Sequence, residues 1–282
     1  MTMLAIARGF EEKFYAAEAM QMAKLAELAA AGNDLEEDDL SPILQIQDGV
    51  GVVEVRGMLT NVNSWYNQYI GMVAYDEIRK ATIQAVDSGV GAMLYLYASP
   101  GGRVAGMHGC AELISSLTIP TMTFAEEYMA SAALFLGIQA DQVFAGDFSE
   151  VGSVGVIQTI MDYSEQMKKN GISAKRYRSG DLKQAGNPMF KLSAKEDKYL
   201  AEQVMLYAEK FYNIVSAARG IPRPMLDSLD ITSGRTFIGE QAKTVGLVDG
   251  ILTFDASFLK IAGLAQKNID SRTQRTVTYG SL

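Results

Sequence analysis

The sequence predicts an α/β domain that is built on a covered, largely parallel β-sheet. Short apolar and β-branched runs alternate along the chain with stretches of helical periodicity, the pattern of strands connected by helices. The run Ala92–Tyr97 is apolar throughout, which indicates a strand that is buried on both faces. The capping-box sequence Ser193–Glu196 predicts the start of a long helix that continues to about Arg219.

The first 30 residues predict an amphipathic helix that precedes the sheet. Its apolar positions form an approximate stripe of Phe10, Phe14, Ala17, Met20, Met22 and Leu25. The segment Ala31–Asp34 is expected to end this helix, and the acidic run Glu36–Asp39 is expected to follow as a solvated link. The mixed charges of the polar face favour packing on the protein itself or on a neighbouring subunit over a membrane surface.

The remaining elements follow from local patterns. Strands are expected at Ile43–Ile46, Gly51–Val55, Ala92–Tyr97, Thr121–Phe124, Gln142–Ala145, Val154–Ile157 and Ser173–Tyr177. Helices are expected at Tyr75–Asp87, Val104–Leu117, from about Ser131, and at Asp162–Asn170, Ser193–Arg219, Gly239–Val245 and Ala256–Ala262. Gly263 is expected to stop the last helix, and the polar residues Gln266–Leu282 are expected to form a mobile tail.

Composition limits the classes of function. The 282 residues carry a net charge of −8, which argues against a broad electrostatic surface for nucleic acid or anionic lipid. Cys110, the only cysteine, lies in a predicted helix and is expected to be a small buried residue. No metal-site spacing or phosphate-binding loop is present, so neither metal nor cofactor is expected. With no secretory signal and no membrane-spanning run, the protein is expected to stay soluble in the compartment where it is made.

Ser131 is the first candidate for chemistry. It stands between the strand-like run Thr121–Phe124 and a helical run, so it is expected at the carboxyl end of a strand, where open α/β sheets place their active sites. The amide of Ala132 would then point the same way as the hydroxyl, as a donor to an oxyanion does. A serine before a helix is also a common N-cap, so the position alone leaves both interpretations open.

Two glycine-containing segments are the next candidates. Ser99–Gly102 follows the strand Ala92–Tyr97, and its glycines would let backbone amides approach a ligand oxygen, although a plain Pro-Gly turn explains it as well. Gly152–Gly155 contains Ser153, whose hydroxyl would hydrogen-bond near an amine, although a turn serine between glycines is the simpler interpretation. Neither segment is specific by itself.

Lys183 is the candidate base. A serine needs a base to attack a carbonyl, and the only histidine, His108, lies on a predicted helix where a surface or packing role is expected. Lys183 belongs to the polar loop Arg178–Gly186, where a lysine is usually just solvated. To act as a base at neutral pH, a lysine must lose its proton through desolvation or a nearby positive charge.

Together these segments resemble the signal peptide peptidase A family of serine peptidases (family S49). The resemblance covers roughly residues 43–259. The motifs follow the order of that family: the Ser-Pro-Gly-Gly turn, Ala-Ser-Ala at 130–132, Gly-Ser-Val-Gly at 152–155, Ser-Gly-x-x-Lys at 179–183 and a closing Gly-Leu-Val-Asp at 246–249. The gaps of 22 residues from Ser131 to Ser153 and of 52 residues from Ser131 to Lys183 also fit.

The resemblance implies a role for each candidate residue. Ser131 would be the nucleophile and Lys183 the general base, with Ser153 orienting the lysine. The amides of Gly102 and Ala132 would form the oxyanion hole. The positions implied to bind substrate are Gly101, Gly152, Val154 and Gly155. An extended peptide would be added there as a strand beside residues 152–156.

The resemblance also implies an architecture. The fold class is α/β with a crotonase/Clp-protease-like (ββα superhelix) core and an N-terminal helical extension. The chain is divided into a helical extension and acidic link at 1–40, a Ser-Lys peptidase domain at 41–265 and a polar C-terminal tail at 266–282. A homo-oligomeric ring is expected, with the N-terminal helix and the helix Ser193–Arg219 as contact surfaces.

Departures from the family pattern point to one branch. Ala98 stands where many relatives have Asp or Asn, and Ala132-Ala133 where many have Gly-Gly, which leaves substrate fit open. Without the membrane segment of membrane-bound relatives, the chain is similar to the soluble lambda-type capsid assembly proteases. By that resemblance it would cleave scaffold and head proteins, and itself, in a phage procapsid within the host cytoplasm. The tail after Gln266 is the expected place of self-cleavage.

Three other functions remain open. A cellular peptidase of the same family would degrade residual signal peptides. A catalytically silent ring or scaffold protein would keep the fold and lose the reaction. An acyl-CoA enzyme of the same broad fold would bind CoA. If the protein is a capsid assembly protease, its expected partner is a polypeptide substrate. Neither binding to nucleic acid nor insertion into a membrane is expected.

Overall fold

Twelve strands and nine helices lie within residues 2–7, 9–31, 43–64 and 66–280, which the computed structural model of the chain describes. The strands are β1 (Leu4–Ile6), β2 (Leu44–Gln47), β3 (Val50–Arg56), β4 (Met58–Thr60), β5 (Met72–Ala74), β6 (Ala92–Ser99), β7 (Gly101–Arg103), β8 (Thr121–Ala130), β9 (Gln142–Ala145), β10 (Glu150–Gly152), β11 (Thr236–Ile238) and β12 (Gly250–Ile251). The helices are α1 (Glu11–Ala31), α2 (Tyr75–Asp87), α3 (Met107–Ser115), α4 (Ala132–Gly137), α5 (Ser164–Lys169), α6 (Ala194–Arg219), α7 (Arg223–Ser228), α8 (Glu240–Thr244) and α9 (Phe254–Gly280).

The central sheet of this described part has eight strands. Six of them run in the order β11-β10-β8-β6-β3-β2, while β9 pairs with β8 and β12 pairs with β9. The interior ladders from β3 to β10 are parallel, and the edge strands β2 and β11 are antiparallel. The predicted mixed α/β class with a largely parallel sheet is therefore confirmed.

Helices cover both faces of the central sheet. Along β6 the side chains alternate, so that Tyr95 and Tyr97 enter a large core that includes residues of α2, α3, α4 and α6. Leu94 and Leu96 point to the opposite core, which Ile261 of α9 completes. All of β6 is buried for this reason, as its uninterrupted apolar run predicts.

A second, four-stranded sheet in the order β1-β7-β4-β5 lies at the edge where the candidate site is found. Its strand β1 was not predicted, because the sequence analysis extended one helix through the amino end; α1 begins only at Glu11. Phe14 and Ala17 of that helix are buried as expected, but Met20 and Met22 are exposed. These two methionines lie away from the face of α1 that packs on β1.

Two other predicted strands are wrong. Residues 154–157 form no strand; the strand here is β10, which ends at Gly152 because Gly152 and Ser153 have positive φ angles of 140° and 55°. Residues 173–177 also form no strand, because no segment of the described part of the chain pairs with them. Their Arg176 instead stacks on the ring of Phe190 at 4.6 Å.

The carboxyl end of the chain differs most from expectation. Helix α9 runs through Gly263 and continues to Gly280, so the predicted stop at Gly263 is wrong and residues 266–280 are helical. Ile261 and Ala265 are fully buried against the sheet, and Asn268 donates a hydrogen bond of 2.8 Å to the carbonyl of Gly91. Burial of one helix face outweighs the polar composition on which the prediction rested.

Several predictions from local pattern are confirmed. Helix α2 and strand β9 have the expected bounds, and β2 and β3, which were both expected as strands, pair with each other antiparallel. Helix α6 has a complete capping box at Ser193 and Glu196 and ends at Gly220 in a left-handed conformation. The predicted end of α1 after Ala31 and the acidic link at 36–39 lie outside the described residues.

Substitution of two glycines tests the continuity of α9. An added Cβ meets no atom within 4 Å at either Gly263 or Gly220, but only Gly220 has a positive φ, of 63°. Gly263→Ala should raise the free energy of unfolding by about 0.5–1 kcal/mol, because alanine loses less backbone entropy in a helix. Gly220→Ala should lower it by about 1 kcal/mol. Urea denaturation measures both changes, and destabilisation by Gly263→Ala would contradict a continuous helix.

Candidate active site

Three parallel strands bring the predicted site segments to one edge of the central sheet. Ala130 in β8 pairs with Gly152 in β10, and Met129 pairs with Ser99 in β6. The segments that follow these strands contain the Pro-Gly-Gly turn, Ser131 and the second serine of the site. Because the carboxyl ends of parallel strands meet at the same edge, residues that are distant in sequence become neighbours here.

Ser131 lies at a sharp turn between β8 and α4. Its backbone has φ 56° and ψ −118°, a conformation that non-glycine residues rarely adopt. Its amide donates a hydrogen bond of 2.8 Å to the carbonyl of Gly152, and its carbonyl accepts one of 2.9 Å from Phe135. The side chain is buried, and within the described residues its Oγ has no hydrogen-bond partner. Strained backbone around an unpartnered hydroxyl is typical of a functional position.

The Pro-Gly-Gly turn packs against the turn that contains Ser131. A Cβ at Gly101 would lie 2.8 Å from the amide nitrogen of Ala132, and Gly101 has φ 95°. A Cβ at Gly102 would overlap the backbone of Leu59. Only glycine fits at these positions, so the glycine pair brings β7 close to the Ala132 amide.

The structure places Ser153 next to Ser131. The register that pairs Ala130 with Gly152 sets the two serines beside each other, and the Ser153 amide donates a hydrogen bond of 2.7 Å to the carbonyl of Arg235. Of the positions expected to bind substrate beyond them, Val154 is fully buried. Gly155 is partly exposed and has open space where a side chain would be.

Within the described residues, Lys183 makes no hydrogen bond to the hydroxyl of Ser131. It lies in a surface loop, where its side chain is exposed and its amide donates a hydrogen bond of 3.0 Å to the carbonyl of Gly180. Within the described residues, nothing hydrogen-bonds to the Ser131 hydroxyl. The pairing of these two side chains therefore stays a prediction.

A buried carboxylate holds one end of the loop. Glu196 accepts hydrogen bonds from Arg178 at 2.5 Å and from Arg176 at 3.1 Å, and its side chain is 1% exposed. The backbone and hydroxyl of Ser193 also donate to it, at 3.0 and 2.8 Å. These bonds from Ser193, followed by the arginines, lower the pKa of Glu196 to about 2. The capping-box pattern predicts only the role of Glu196 in the helix cap, because its contacts with Arg176 and Arg178 arise from tertiary packing.

The amino-terminal strand β1 is the second feature that the sequence analysis missed. It pairs with β7, and Leu4 exchanges hydrogen bonds of 3.0 and 2.9 Å with Ile157 on its other side. The short apolar run before Gly9 was the only available signal, and helical periodicity in the following residues obscured it. The chain thus crosses its own candidate site.

A cavity of about 330 Å³ adjoins this edge. Its walls include Phe10, which precedes α1, Pro100 of the turn and Tyr128 of β8, whereas Ser131 is absent from the described residues that form them. The cavity is therefore beside the serine turn rather than at it.

Other candidate groups have structural roles. Cys110 is buried as expected, and burial raises the pKa of its thiol to about 12. His108 is exposed on α3 with its Nε2 3.3 Å from Glu112, as expected of a surface histidine. In the described ranges, no cluster of three or more His, Cys, Asp or Glu residues is placed to hold a metal ion. No helix of those ranges has the length and apolar character needed to cross a membrane.

An α/β sheet with a serine on a sharp strand-to-helix turn at its carboxyl edge is an arrangement found in hydrolases. The model of peptidase family S49 matches residues 115–268, more than half of the chain, and the chain belongs to this family. The predicted family is thereby confirmed. The matched range includes both serines and Lys183 but not the Pro-Gly-Gly turn.

Individual relatives include bacterial and phage proteins. The chain is 33% identical over 171 residues to a putative signal peptide peptidase SppA of Enterococcus faecium, which covers 58% of this chain and 48% of that one. It is 28% identical over 231 residues to the capsid assembly protease C of Escherichia phage lambda. That alignment covers 81% of this chain and 52% of the phage protein. It is 25% identical over 239 residues to the head-tail preconnector protein GP5 of Enterobacteria phage P21. That alignment covers 84% of this chain and 47% of the phage protein. The chain thus spans about half the length of these curated relatives.

Neutralising the carboxylate that holds the loop should destabilise the protein in a pH-dependent way. Glu196→Gln should lower the free energy of unfolding by about 1–3 kcal/mol, because two arginines lose a charged acceptor. The pKa of Glu196 is lowered from 4.5 to about 2, so its stabilisation is present above pH 4.5 and is lost as pH falls towards 2. Glu202→Gln, at an exposed ion pair with Lys198, should change stability by less than about 0.5 kcal/mol. Denaturation curves at several pH values test this, and equal effects of both variants would contradict it.

Proposed function

We propose that the protein is a serine endopeptidase in which Ser131 attacks a peptide carbonyl. The observation that carries this proposal is the buried Ser131 hydroxyl, which has no hydrogen-bond partner among the described residues and stands on a strained turn. Holding a polar group in that state costs stability, so a core position would favour alanine unless the hydroxyl had a chemical role.

Backbone amides beside Ser131 are suited to stabilise the intermediate. The Ala132 amide nitrogen lies against the Gly101 position, and the next residue of β7 is Gly102. Amides of Ala132 and Gly102 that converge on one carbonyl oxygen would stabilise the negative charge that develops on it. Ser131 would then form an acyl-enzyme, and a water molecule would release it.

Lys183 is the proposed general base, and Ser153 the residue that orients it. The base must come within hydrogen-bonding distance, about 2.6–3.2 Å, of the Ser131 hydroxyl. This requires the exposed loop of Lys183 to fold over the serine edge, or a second copy of the chain to present its own loop there. Covering the amine would also remove it from water, which a lysine base needs.

The finer architecture is part of the same proposal. We assign the core to the crotonase/Clp-protease-like type, with an amino-terminal extension at 1–40, a peptidase domain at 41–265 and a C-terminal segment at 266–282. A homo-oligomeric ring agrees with the exposure of the Lys183 loop, because a neighbouring subunit would bury that loop. The peptidase domain contains every residue proposed for the reaction.

Maturation of a phage head is the role that we favour. The lambda and P21 relatives align with 81% and 84% of this chain, whereas the putative signal peptide peptidase aligns with 58% of it at a higher identity of 33%. The substrates would then be scaffold and head proteins in a procapsid within the host cytoplasm. Degradation of signal peptides is the second candidate, which that higher identity favours.

Substitution of the proposed dyad tests the reaction. Cleavage of an unfolded protein should fall at least about a thousandfold in Ser131→Ala and in Lys183→Ala, because the nucleophile and base act as a unit. Lys175→Ala, which removes another exposed lysine from the same segment, should keep full activity. Cleavage rates are measured from the fluorescence that is released when a labelled unfolded protein is cut. The oligomeric state of each variant is measured by light scattering.

The outcomes separate the alternatives. Equal activity in all variants would contradict the dyad, and an inactive wild type that assembles normally would favour the silent scaffold. Recovery of activity on mixing the Ser131→Ala and Lys183→Ala proteins would show that a second copy supplies the base. Preference for an apolar signal peptide over a soluble scaffold-type polypeptide would favour the cellular role.

A further inference from the structure

The amino-terminal strand β1 fills a channel between two segments of the candidate site. On one side, Leu4–Ile6 pairs antiparallel with Gly101–Arg103; on the other, Leu4 exchanges two hydrogen bonds with Ile157. Leu4 and Ala5 are fully buried, and Ala7 is 8% exposed. A strand with partners on both edges and no exposed side chain occupies the position of a bound extended peptide.

The ladder register places one particular carbonyl group at the proposed oxyanion hole. Ala5 is the partner of Gly102, and the amide of Val104 donates a hydrogen bond of 3.1 Å to the carbonyl of Met3, two residues away on each strand. Hydrogen-bonded pairs alternate along antiparallel strands, so Ala5 and Gly102 form the next such pair. The Gly102 amide therefore donates to the carbonyl oxygen of Ala5.

A second contact points to the same carbonyl. A Cβ built at Gly101 would overlap the Ala5 oxygen and would lie 2.8 Å from the amide nitrogen of Ala132. The Ala5 oxygen is thus beside both proposed oxyanion donors. The hydroxyl of Ser131, the residue before Ala132, is buried and has no hydrogen-bond partner within the described residues, as expected of a nucleophile that is free to attack a carbonyl carbon.

We infer that β1 is bound as a substrate of its own chain, with the peptide bond between Ala5 and Ile6 as the first bond cleaved. This inference rests on the proposed function. Ser131 Oγ forms a bond to the Ala5 carbonyl carbon, the carbon–nitrogen bond to Ile6 breaks, and the hydroxyl proton passes through the base to the Ile6 nitrogen. Water then hydrolyses the ester, which restores Ser131 and leaves a carboxylate on Ala5.

The occupant also defines the substrate class. Ala5 is enclosed beside the glycine turn, so the residue before the cleaved bond has a small side chain. Leu4 and Ile6 pack in an apolar cluster with Phe14 of α1 and Met58 of β4, so the flanking residues are apolar. Other substrates enter the channel between β7 and Ile157 after cleavage has released β1 from it.

Intact mass spectrometry of the full chain tests the inference. Wild type and Ser131→Ala are purified in parallel and sampled over time, and each is also given an unfolded protein as substrate. The wild type should lose the residues up to Ala5 and begin at Ile6, whereas Ser131→Ala should keep them.

Each outcome has one meaning. A wild type that digests the unfolded protein but keeps residues up to Ala5 overturns self-cleavage and leaves the peptidase proposal standing. A wild type that cleaves neither overturns both. Cleavage after Ala5 in Ser131→Ala to the same extent as in wild type assigns the cut to another protease and overturns the inference.

Variants of the strand supply an independent test. Ala5→Phe should slow self-cleavage at least tenfold, because the enclosed position has no room for a ring, whereas Thr2→Phe, outside the strand, should not slow it. Ile6→Pro should block the cut without breaking the β7 ladder, since Ile6 lies between the hydrogen-bonded pairs. The Ile6→Pro variant keeps the inference testable if the Ala5→Phe protein does not fold. Unchanged cleavage in Ile6→Pro would overturn the assignment of the bond.

Discussion

Parallel pairing of β8 with β10 is the constraint on which the candidate site depends. This pairing sets the register that places Ser153 beside Ser131. The hydrogen bond from the Ser131 amide to the carbonyl of Gly152 extends the pairing by one residue. That bond and the one from Phe135 hold Ser131 at a positive φ that a free serine would leave. A shift of one residue would turn the serine to the other face of the sheet and destroy the site.

Close approach of backbone to backbone makes the second half of the site. Gly101 and Gly102 bring β7 so near to the turn of Ser131 and to Leu59 that a methyl group would not fit. The amide and carbonyl groups of such a buried edge need partners, because an unpaired buried peptide group is costly. In this molecule β1 provides them through its pairing with β7 and with Ile157.

The two halves of the proposed dyad have different surroundings. Ser131 belongs to the core, where helices and sheet determine its position. Lys183 belongs to an exposed loop that is tied to α6 chiefly through Glu196. In the proposed dyad, a buried nucleophile and an exposed base would let assembly or loop closure control the reaction without a change in the fold. Removal of β1 would open the same site from the other side.

The sequence by itself determined the elements that depend on local pattern. The apolar run of β6, the capping box of α6 and the order of the serine and glycine motifs were all readable, because each involves neighbouring residues. The tertiary structure alone decided the rest. A three-residue strand such as β1 has no periodicity of its own and exists through its pairing with β7. Helix α9 passes Gly263 because its face is buried on the sheet. The exposure of Lys183 and the burial of Ser131 depend on how distant segments pack, and spacing along the sequence contains no measure of that packing.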